Sequence, residues 1–187
     1  MKIGVLAIQG GYRKHQESLL KLKVNSIAVK YERQLNNCSA LIIPGGESTT
    51  ISKLLKKNSL EKPISEFASE KPIMGTCAGL ILMCKKSGDS RVRNLELIDV
   101  NIKRNGWGRQ FDSFSKIVDV KGISNSFKAL FIRAPKITNV GKNVQVLSTI
   151  EKEPILVKEG MHYGVTFHPE LTEDTSIHKM FLESIAS

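Results

Sequence analysis

The sequence has no apolar stretch long enough to cross a membrane. A spanning helix needs roughly 20 consecutive apolar residues, and no run in the 187 residues approaches that length. Residues 1–8 are apolar, but they are too few for a signal peptide and carry no cleavage site. We therefore expect no transmembrane segment and no membrane partner, and we interpret residues 3–8 as a β-strand.

Cysteine is scarce. The chain has three cysteines, Cys38, Cys77 and Cys84, an odd number without the Cys-x-x-Cys spacing of common zinc sites. This argues against both a disulfide framework and a structural zinc site. Free thiols are typical of a reducing compartment, so we expect a cytoplasmic protein.

Acidic and aromatic residues are also few. The 28 lysines and arginines outnumber the 18 aspartates and glutamates, which gives a net charge of +10, and aromatic residues make up only 6% of the chain. Such a charge raises nucleic-acid binding as a candidate. However, the lysines are spread along the chain, and the basic clusters at 53–57 and 85–86 lack interleaved aromatic residues for base stacking. We interpret them as solvated faces and expect no nucleic-acid partner.

No linker, internal repeat or low-complexity tract divides the chain, and its length suits one domain over residues 1–187. The hydrophobic pattern predicts strands at 3–8, 26–29, 40–43 and 73–75 and helices at 13–22, 49–57 and 79–86. The second half predicts strands at 97–103, 117–120, 129–132, 144–148, 155–157 and 163–167 and a helix at 175–185. This pattern is typical of an α/β fold whose parallel sheet is covered on both faces, with functional loops at the carboxyl ends of its strands.

The strongest candidate for a reactive residue is Cys77. It lies in the run Pro-Ile-Met-Gly-Thr-Cys-Ala-Gly-Leu-Ile-Leu at residues 72–82, where a short strand meets small residues and then a helix-compatible stretch. Gly75 and Gly79 leave room for a sharp turn that exposes the thiol at the start of a helix, where backbone N–H groups favour the thiolate. The alternative is a buried structural cysteine, the commoner role of a lone cysteine in an apolar stretch.

The run Phe-His-Pro-Glu at residues 167–170 outweighs that alternative. It ends another apolar stretch with an imidazole, His168, and a carboxylate, Glu170. A cysteine, a histidine and an acid at strand ends are the components of a catalytic triad, in which the histidine activates the nucleophile and the acid orients the histidine.

A glycine pair follows the strand predicted at residues 40–43. Gly45 and Gly46 lead into a helix start. The pair is either a tight turn with a cap from Ser48 or Thr49, or a loop whose backbone N–H groups approach a ligand oxygen closely, as an oxyanion hole requires.

Arginines lie at two other loops. Arg104 and Arg109 belong to a loop at residues 103–110 that contains two glycines, and Arg133 follows the strand predicted at 129–132. Each is either a solvated side chain or a clamp for a substrate carboxylate.

The remaining histidines match no catalytic pattern. We place His15 on the polar side of the first helix and His178 on the polar side of the last one, and we expect both at the surface. His162 also has no motif. Cys84, within a predicted helix, and Cys38, before a buried strand, are expected to pack in the core.

Taken together, the runs at 75–79 and 167–170 resemble the class I (triad) glutamine amidotransferases. Further motifs lie at 9–10, 44–49, 105–110, 131–135 and 168–171. They are similar to those of one branch of that family, the glutaminase subunits of pyridoxal 5′-phosphate synthase, which work with a (β/α)8-barrel synthase subunit. The ordered set spans nearly the whole chain.

The resemblance implies a class I glutamine amidotransferase-like fold with a mostly parallel central sheet flanked by helices. It implies hydrolysis of L-glutamine to L-glutamate and ammonia through a cysteine thioester, with the ammonia delivered to the synthase subunit for vitamin B6 biosynthesis. Cys77 would be the nucleophile, His168 the general base and then acid, and Glu170 the orienting group. No metal or organic cofactor is implied for this subunit.

The resemblance also assigns binding roles. Gly46 and Ala78 would donate N–H groups to the oxyanion, and Gln9 would respond to docking of the synthase. The residues implied to bind glutamine are Gly46, Glu47, Ser48, Arg104, Ile132 and Arg133. Arg104 would pair with the α-carboxylate of the substrate.

Two residues depart from the usual pattern: Tyr12 stands where a smaller residue is common, and Trp107 replaces Phe or Tyr. Both concern details of docking or substrate contact. Two alternatives stay open at this point, an amidotransferase that serves a different acceptor subunit and a non-catalytic regulatory protein on the same fold. The motifs at 105–110 and 131–135 argue against the first, and the complete triad argues against the second.

Overall fold

The structure, a computed structural model, describes residues 1–104, 106–107 and 113–185. Its strands are β1 (Lys2–Leu6), β2 (Asn25–Val29), β3 (Ala40–Ile43), β4 (Ile73–Thr76), β5 (Cys84–Lys86), β6 (Ile98–Lys103), β7 (Ser113–Val118), β8 (Phe127–Ile132), β9 (Lys136–Val140), β10 (Gln145–Ile150), β11 (Glu153–Glu159) and β12 (His162–Val165). Its α-helices are α1 (Tyr12–Lys21), α2 (Glu32–Leu35), α3 (Ser48–Lys57), α4 (Glu61–Glu70), α5 (Ala78–Met83) and α6 (Ser176–Glu183).

A seven-stranded sheet forms the centre of the fold, in the order β10-β11-β12-β4-β3-β1-β2. The five strands from β12 to β2 pair in parallel, and β11 and β10 add an antiparallel edge. The predicted α/β fold with a mostly parallel central sheet is therefore confirmed. The carboxyl ends of β12, β4, β3 and β1 lie side by side at one edge.

Both faces of this sheet are buried, which explains why its inner strands are apolar throughout. Along β3, Leu41 and Ile43 pack into one hydrophobic cluster, while Ala40 and Ile42 pack into the cluster on the opposite face. Successive side chains of a strand point to opposite faces, so a strand covered on both sides needs apolar residues at every position.

Two small sheets flank the central one. Strands β5, β6 and β9 form a three-stranded sheet, and β7 pairs with β8 in an antiparallel ribbon. The ribbon lies close to the end of β12, as shown by the hydrogen bond that the N–H of His168 donates to the carbonyl of Leu130 at 2.8 Å. The end of β8 therefore reaches the same edge as the ends of the central strands.

Some predicted elements differ from the observed ones. The helix predicted at 79–86 ends at Met83, because Cys84 begins β5 and pairs in parallel with Ile98 of β6. Cys84 therefore lies in a strand, and it is buried, as is Cys38. Helices α2 and α4 and strand β9 were not predicted. Within the described residues, no helix is long and apolar enough to span a membrane.

Candidate active site

The turn after β4 gives Cys77 an unusual backbone. Its φ of 49° and ψ of −104° place it in a region that non-glycine residues rarely adopt, at a strain of about 1–3 kcal/mol. The turn is tightly enclosed, since a Cβ on Gly79 would lie 2.0 Å from the carbonyl oxygen of Ile43. The N–H of Cys77 donates to the carbonyl of Val165 at 2.8 Å, which ties the turn to β12. The predicted strand-turn-helix geometry around the thiol is therefore present.

His168 and Glu170 follow β12, Glu170 within a short 3-10 helix at Pro169–Leu171. His168 Nδ1 lies 2.7 Å from Glu170 Oε1, so the ring's Nε2 is directed away from the acid. Burial acts to lower the pKa of His168, but hydrogen bonds with Cys77 and Glu170 raise that pKa to about 10. The three predicted triad residues therefore lie together: Glu170 bonds the imidazole, and Cys77 and His168 line one cavity, where the thiol also approaches Ile132 O at 3.9 Å.

Glu170 is buried, yet it is held as an anion. Burial alone would raise the pKa of this carboxyl group, but His15 and His168 lower it below its usual value. An ionised carboxylate accepts a hydrogen bond from His168 Nδ1–H and so fixes the ring with Nε2 free to exchange a proton with the thiol.

A cavity of about 350 Å³ opens at the thiol. It is lined by Gly46, Glu47, Ser48, Cys77, Ala78, Ile81, Arg104, Ile132, Arg133 and His168. The structure therefore brings every residue predicted for the oxyanion hole and for glutamine binding to one cavity with the nucleophile and the base. Among them, Ser48 is 2% exposed and its Oγ has no hydrogen-bond partner in the described part of the chain.

Arg104 reaches the cavity already engaged with two acids. Its Nη2 lies 3.1 Å from Glu47 Oε1, and its Nη1 contacts Asp89 Oδ2. A substrate carboxylate at this guanidinium would share it with both acids. Of the loop predicted to carry this arginine, Asn105 and residues 108–112, including Arg109, lie outside the described residues.

The cap of α3 differs from the one predicted. Glu47, and not Ser48 or Thr49, is the N-cap: its carboxylate accepts from the backbone N–H groups of Thr49 at 3.2 Å and Thr50 at 2.7 Å. Burial opposes ionisation, but the bonds from Thr49 and Thr50 lower the pKa of Glu47 to about 2. The longer glutamate side chain satisfies both of these donors.

The loop after β1 packs backbone to backbone against the glycine pair. Gly11 N–H donates to Gly45 O at 3.0 Å, and a Cβ on Gly10, whose φ is 94°, would lie 2.0 Å from that oxygen. Gln9 Oε1 accepts from the N–H of Glu47 at 3.0 Å. The residue predicted to respond to a partner therefore contacts the segment that carries Gly46.

The two residues that depart from the family pattern lie near this edge. Tyr12 is the first residue of α1, next to the loop that contains Gln9. Trp107 donates from Nε1 to Pro135 O at 3.3 Å and has its ring 6.0 Å from that of Phe131. It therefore connects the arginine loop to the segment at 131–135.

The prediction that His15 and His178 lie at the surface is wrong. Both are fully buried behind Glu170, with His15 Nδ1 3.0 Å from His178 Nε2. The buried sides of their helices are wider than the polar pattern suggested. His15 shares a face with Leu19, four residues later, and His178 shares one with Leu182, so the i,i+4 spacing was the signal that could have located them.

Comparisons with known proteins identify the family of the chain. The model of the SNO glutamine amidotransferase family matches residues 5–187. The chain is 44% identical to "Pyridoxal 5'-phosphate synthase subunit PdxT" of Thermotoga petrophila over 99% of this chain and 100% of the relative. It is 47% identical to the protein of the same name from Francisella philomiragia, over 97% of this chain and 98% of the relative.

Solved structures give the same result. A structure described as a glutamine amidotransferase superposes with a TM-score of 0.95 at 38% identity and covers 99% of both chains. PurLQS from Thermotoga maritima, at 16% identity and a TM-score of 0.70 over 99% of this chain and 96% of that one, shows the shared fold. The family match over nearly the whole length, together with these relatives, shows that the chain belongs to the SNO glutamine amidotransferase family.

Proposed function

We propose that this protein is the glutaminase subunit of a pyridoxal 5′-phosphate synthase and hydrolyses L-glutamine to L-glutamate and ammonia. The observation that carries this proposal is one cavity that contains Cys77 and the Glu170-bonded His168 and is lined by all the residues expected to hold glutamine. A cysteine nucleophile, a base and an orienting acid are the groups that amide hydrolysis through a thioester requires.

In the first half of the reaction, His168, whose pKa is raised to about 10, takes the proton of the Cys77 thiol, and the sulfur then attacks the carboxamide carbon of glutamine. Negative charge develops on the carbonyl oxygen, and we assign its stabilisation to the backbone N–H groups of Gly46 and Ala78. The intermediate collapses as His168 returns the proton to the nitrogen. The carbon–nitrogen bond breaks, ammonia leaves and a thioester remains.

In the second half, water attacks the thioester. His168 removes a proton from the water and then returns one to the departing sulfur of Cys77, so that glutamate leaves and the thiol is restored. Glu170 holds the imidazole in one orientation through both halves and stabilises it when it is charged.

Substrate recognition falls to the remaining walls of the cavity. Ser48 and Glu47 form part of the wall that holds glutamine, and Arg104 supplies positive charge for its α-carboxylate. Ile132, the last residue of β8, and Arg133, which follows it with a φ of 44°, also line the cavity.

The partner we propose is a (β/α)8-barrel synthase subunit that receives the ammonia in the cytoplasm, with no nucleic acid or membrane involved. The relatives' name, synthase subunit, supports a partner. The contact of Gln9 with Glu47 supports a docking response, because movement of the loop at 9–11 would move the segment that bears Gly46. Glutamate release would then be low until the synthase docks.

The deciding experiment measures glutamate release by the purified full-length chain, with and without a barrel-type synthase. We expect activity that rises with the synthase and disappears in Cys77→Ala, which keeps the turn and removes the nucleophile. Substantial activity in a folded Cys77→Ala protein would refute the mechanism, and unchanged activity on adding the synthase would refute the docking response.

A further inference from the structure

Two buried histidines that the triad does not use lie directly behind its carboxylate. His15, from α1, and His178, from α6, contact one another with Nδ1 of the first 3.0 Å from Nε2 of the second. On its other side, His15 Nε2 lies 3.4 Å from Glu170 Oε2 and 3.2 Å from Thr76 Oγ1. Burying two imidazoles costs free energy unless their hydrogen bonds are satisfied. The presence of this pair in the core therefore points to a role for its hydrogen bonds.

The positions of the protons follow from the neighbours. Glu170 Oε1 accepts from His168, and Oε2 has no conventional hydrogen bond within the described residues. A lone pair on His15 Nε2 would face an anionic oxygen and repel it, so Nε2 carries the proton. His15 Nδ1 is then an acceptor, and His178 Nε2–H donates to it.

This arrangement of protons also has the lower free-energy cost at His178 Nδ1, the ring nitrogen that lies farthest from Glu170. His178 Nδ1 has no partner in the part of the chain that the structure describes. With Nε2 protonated, that orphan is an acceptor nitrogen and not a buried N–H. Burial lowers the pKa of both His15 and His178, so both rings are neutral. The charged or titratable groups that face them are Glu170 and, beyond it, His168.

The same N–H reaches the segment of the nucleophile. Thr76 directly precedes Cys77, and its Oγ1 accepts from the N–H of Gly45 at 3.1 Å. Gly45 precedes Gly46, the proposed oxyanion donor. His15 therefore lies between the carboxylate that orients the base and a hydroxyl that ties the nucleophile strand to the oxyanion loop.

We propose that His15 is a positioning residue of the glutaminase reaction: its Nε2–H, oriented by His178, holds Glu170 and Thr76 in the arrangement that aligns His168 with Cys77. It touches neither substrate nor the reacting atoms, so it acts through these neighbours. This inference rests on the proposed function. Since small misalignments of a base and nucleophile slow a reaction by about 10- to 100-fold, loss of the N–H lowers kcat by that factor and leaves KM nearly unchanged.

The test compares two amides that keep a polar group at the site. In His15→Gln, the amide nitrogen falls near the position of Nε2 and still donates toward Glu170. In His15→Asn, the shorter side chain reaches only toward His178. We measure glutamate release by the full chain with saturating synthase. We expect kcat to fall about 10- to 100-fold in His15→Asn and to stay near the wild-type value in His15→Gln.

A pH profile separates positioning from general loosening. The N–H of His15 stabilises the anionic form of Glu170, so its loss raises the pKa of that carboxyl group. The acidic limb of kcat/KM against pH therefore moves to higher pH in His15→Asn and stays in place in His15→Gln. The matched control is His162→Gln, in a partly buried histidine whose Nδ1 accepts from Ile73 N–H at 3.2 Å, apart from the triad contacts. It should leave both kcat and the limb unchanged.

The outcomes decide the proposal in either direction. Equal losses in the Gln and Asn variants, a loss confined to KM, or a folded Asn variant with wild-type kcat would each overturn it. Wild type and Cys77→Ala are measured alongside. If these two proteins release glutamate equally, the proposed function fails, whereas failure of the His15 proposal leaves their difference intact.

Discussion

Replacing Arg104 with alanine should specifically weaken recognition of the substrate's α-carboxylate. The guanidinium lines the catalytic cavity, and its side chain is only a quarter exposed. A hydrogen bond between charged groups contributes about 1.5–3 kcal/mol, which corresponds to about a 13- to 160-fold loss of kcat/KM. Because Glu47 and Asp89 already share the guanidinium, we expect a value near the lower end.

The assay pairs the variant with a matching change in the substrate. Glutamine and an analogue whose α-carboxylate is an uncharged amide are each given to wild type and to Arg104→Ala, and hydrolysis of the side-chain amide is followed by chromatography. The analogue should be a poor substrate for wild type and lose at most about twofold more in the variant, because the interaction is already absent.

Arg91→Ala is the matched control. Arg91 also pairs with Asp89, through contacts of 2.9 and 2.8 Å, but it does not line the catalytic cavity. Its loss should therefore change kcat/KM by less than about twofold, since an exposed ion pair contributes little. Equal penalties for glutamine and the analogue in Arg104→Ala would refute the assignment and make Arg133 the next candidate.

Three further predictions concern the thiols, the docking loop and acid stability. Iodoacetamide near pH 8 should label Cys77, which lines the cavity, well before Cys38 and Cys84. Burial raises the pKa of both of these other thiols, that of Cys84 to about 12. Peptide mapping that finds equal labelling of all three cysteines in the folded protein would contradict this prediction. Gln9→Ala should lower the synthase-stimulated rate of glutamate release much more than the basal rate, and an unchanged ratio of the two rates would remove the docking response. Burial lowers the pKa of His178 to about 3, whereas its pKa in the unfolded chain is about 6.5. As the pH falls below about 6.5, only the unfolded chain binds a proton at this residue, so the free energy of unfolding declines. Urea unfolding measures how much the free energy of unfolding falls between pH 7 and pH 5, and this fall should be about 2 kcal/mol smaller in His178→Gln than in wild type. The same fall in both proteins would count against a neutral buried ring.

The functional residues at strand ends could be predicted from the sequence because each follows a recognisable apolar run. Cys77 and His168 come after strands whose burial on both faces makes them continuous apolar segments, and parallel strands bring their carboxyl ends together. The family motifs then placed Gly46 and Arg104 at the same edge. The structure brings these residues to one cavity.

Other features depend on contacts between distant segments. His15 and His178 are 163 positions apart, and neither helix alone reveals that the other supplies its hydrogen-bond partner. The pairing of Arg104 with Asp89 also depends on tertiary structure. The change from helix to strand at Cys84 follows from its partner in β6, which local propensity cannot specify.

The position of Arg104 has a consequence for the design of covalent inhibitors. This residue lines the same cavity as Cys77, so one small molecule can engage both side chains. An electrophile alone would modify any accessible thiol, whereas an electrophile joined to a carboxylate would also pair with the guanidinium of Arg104. Such a compound should discriminate this enzyme from proteins that offer only a reactive cysteine.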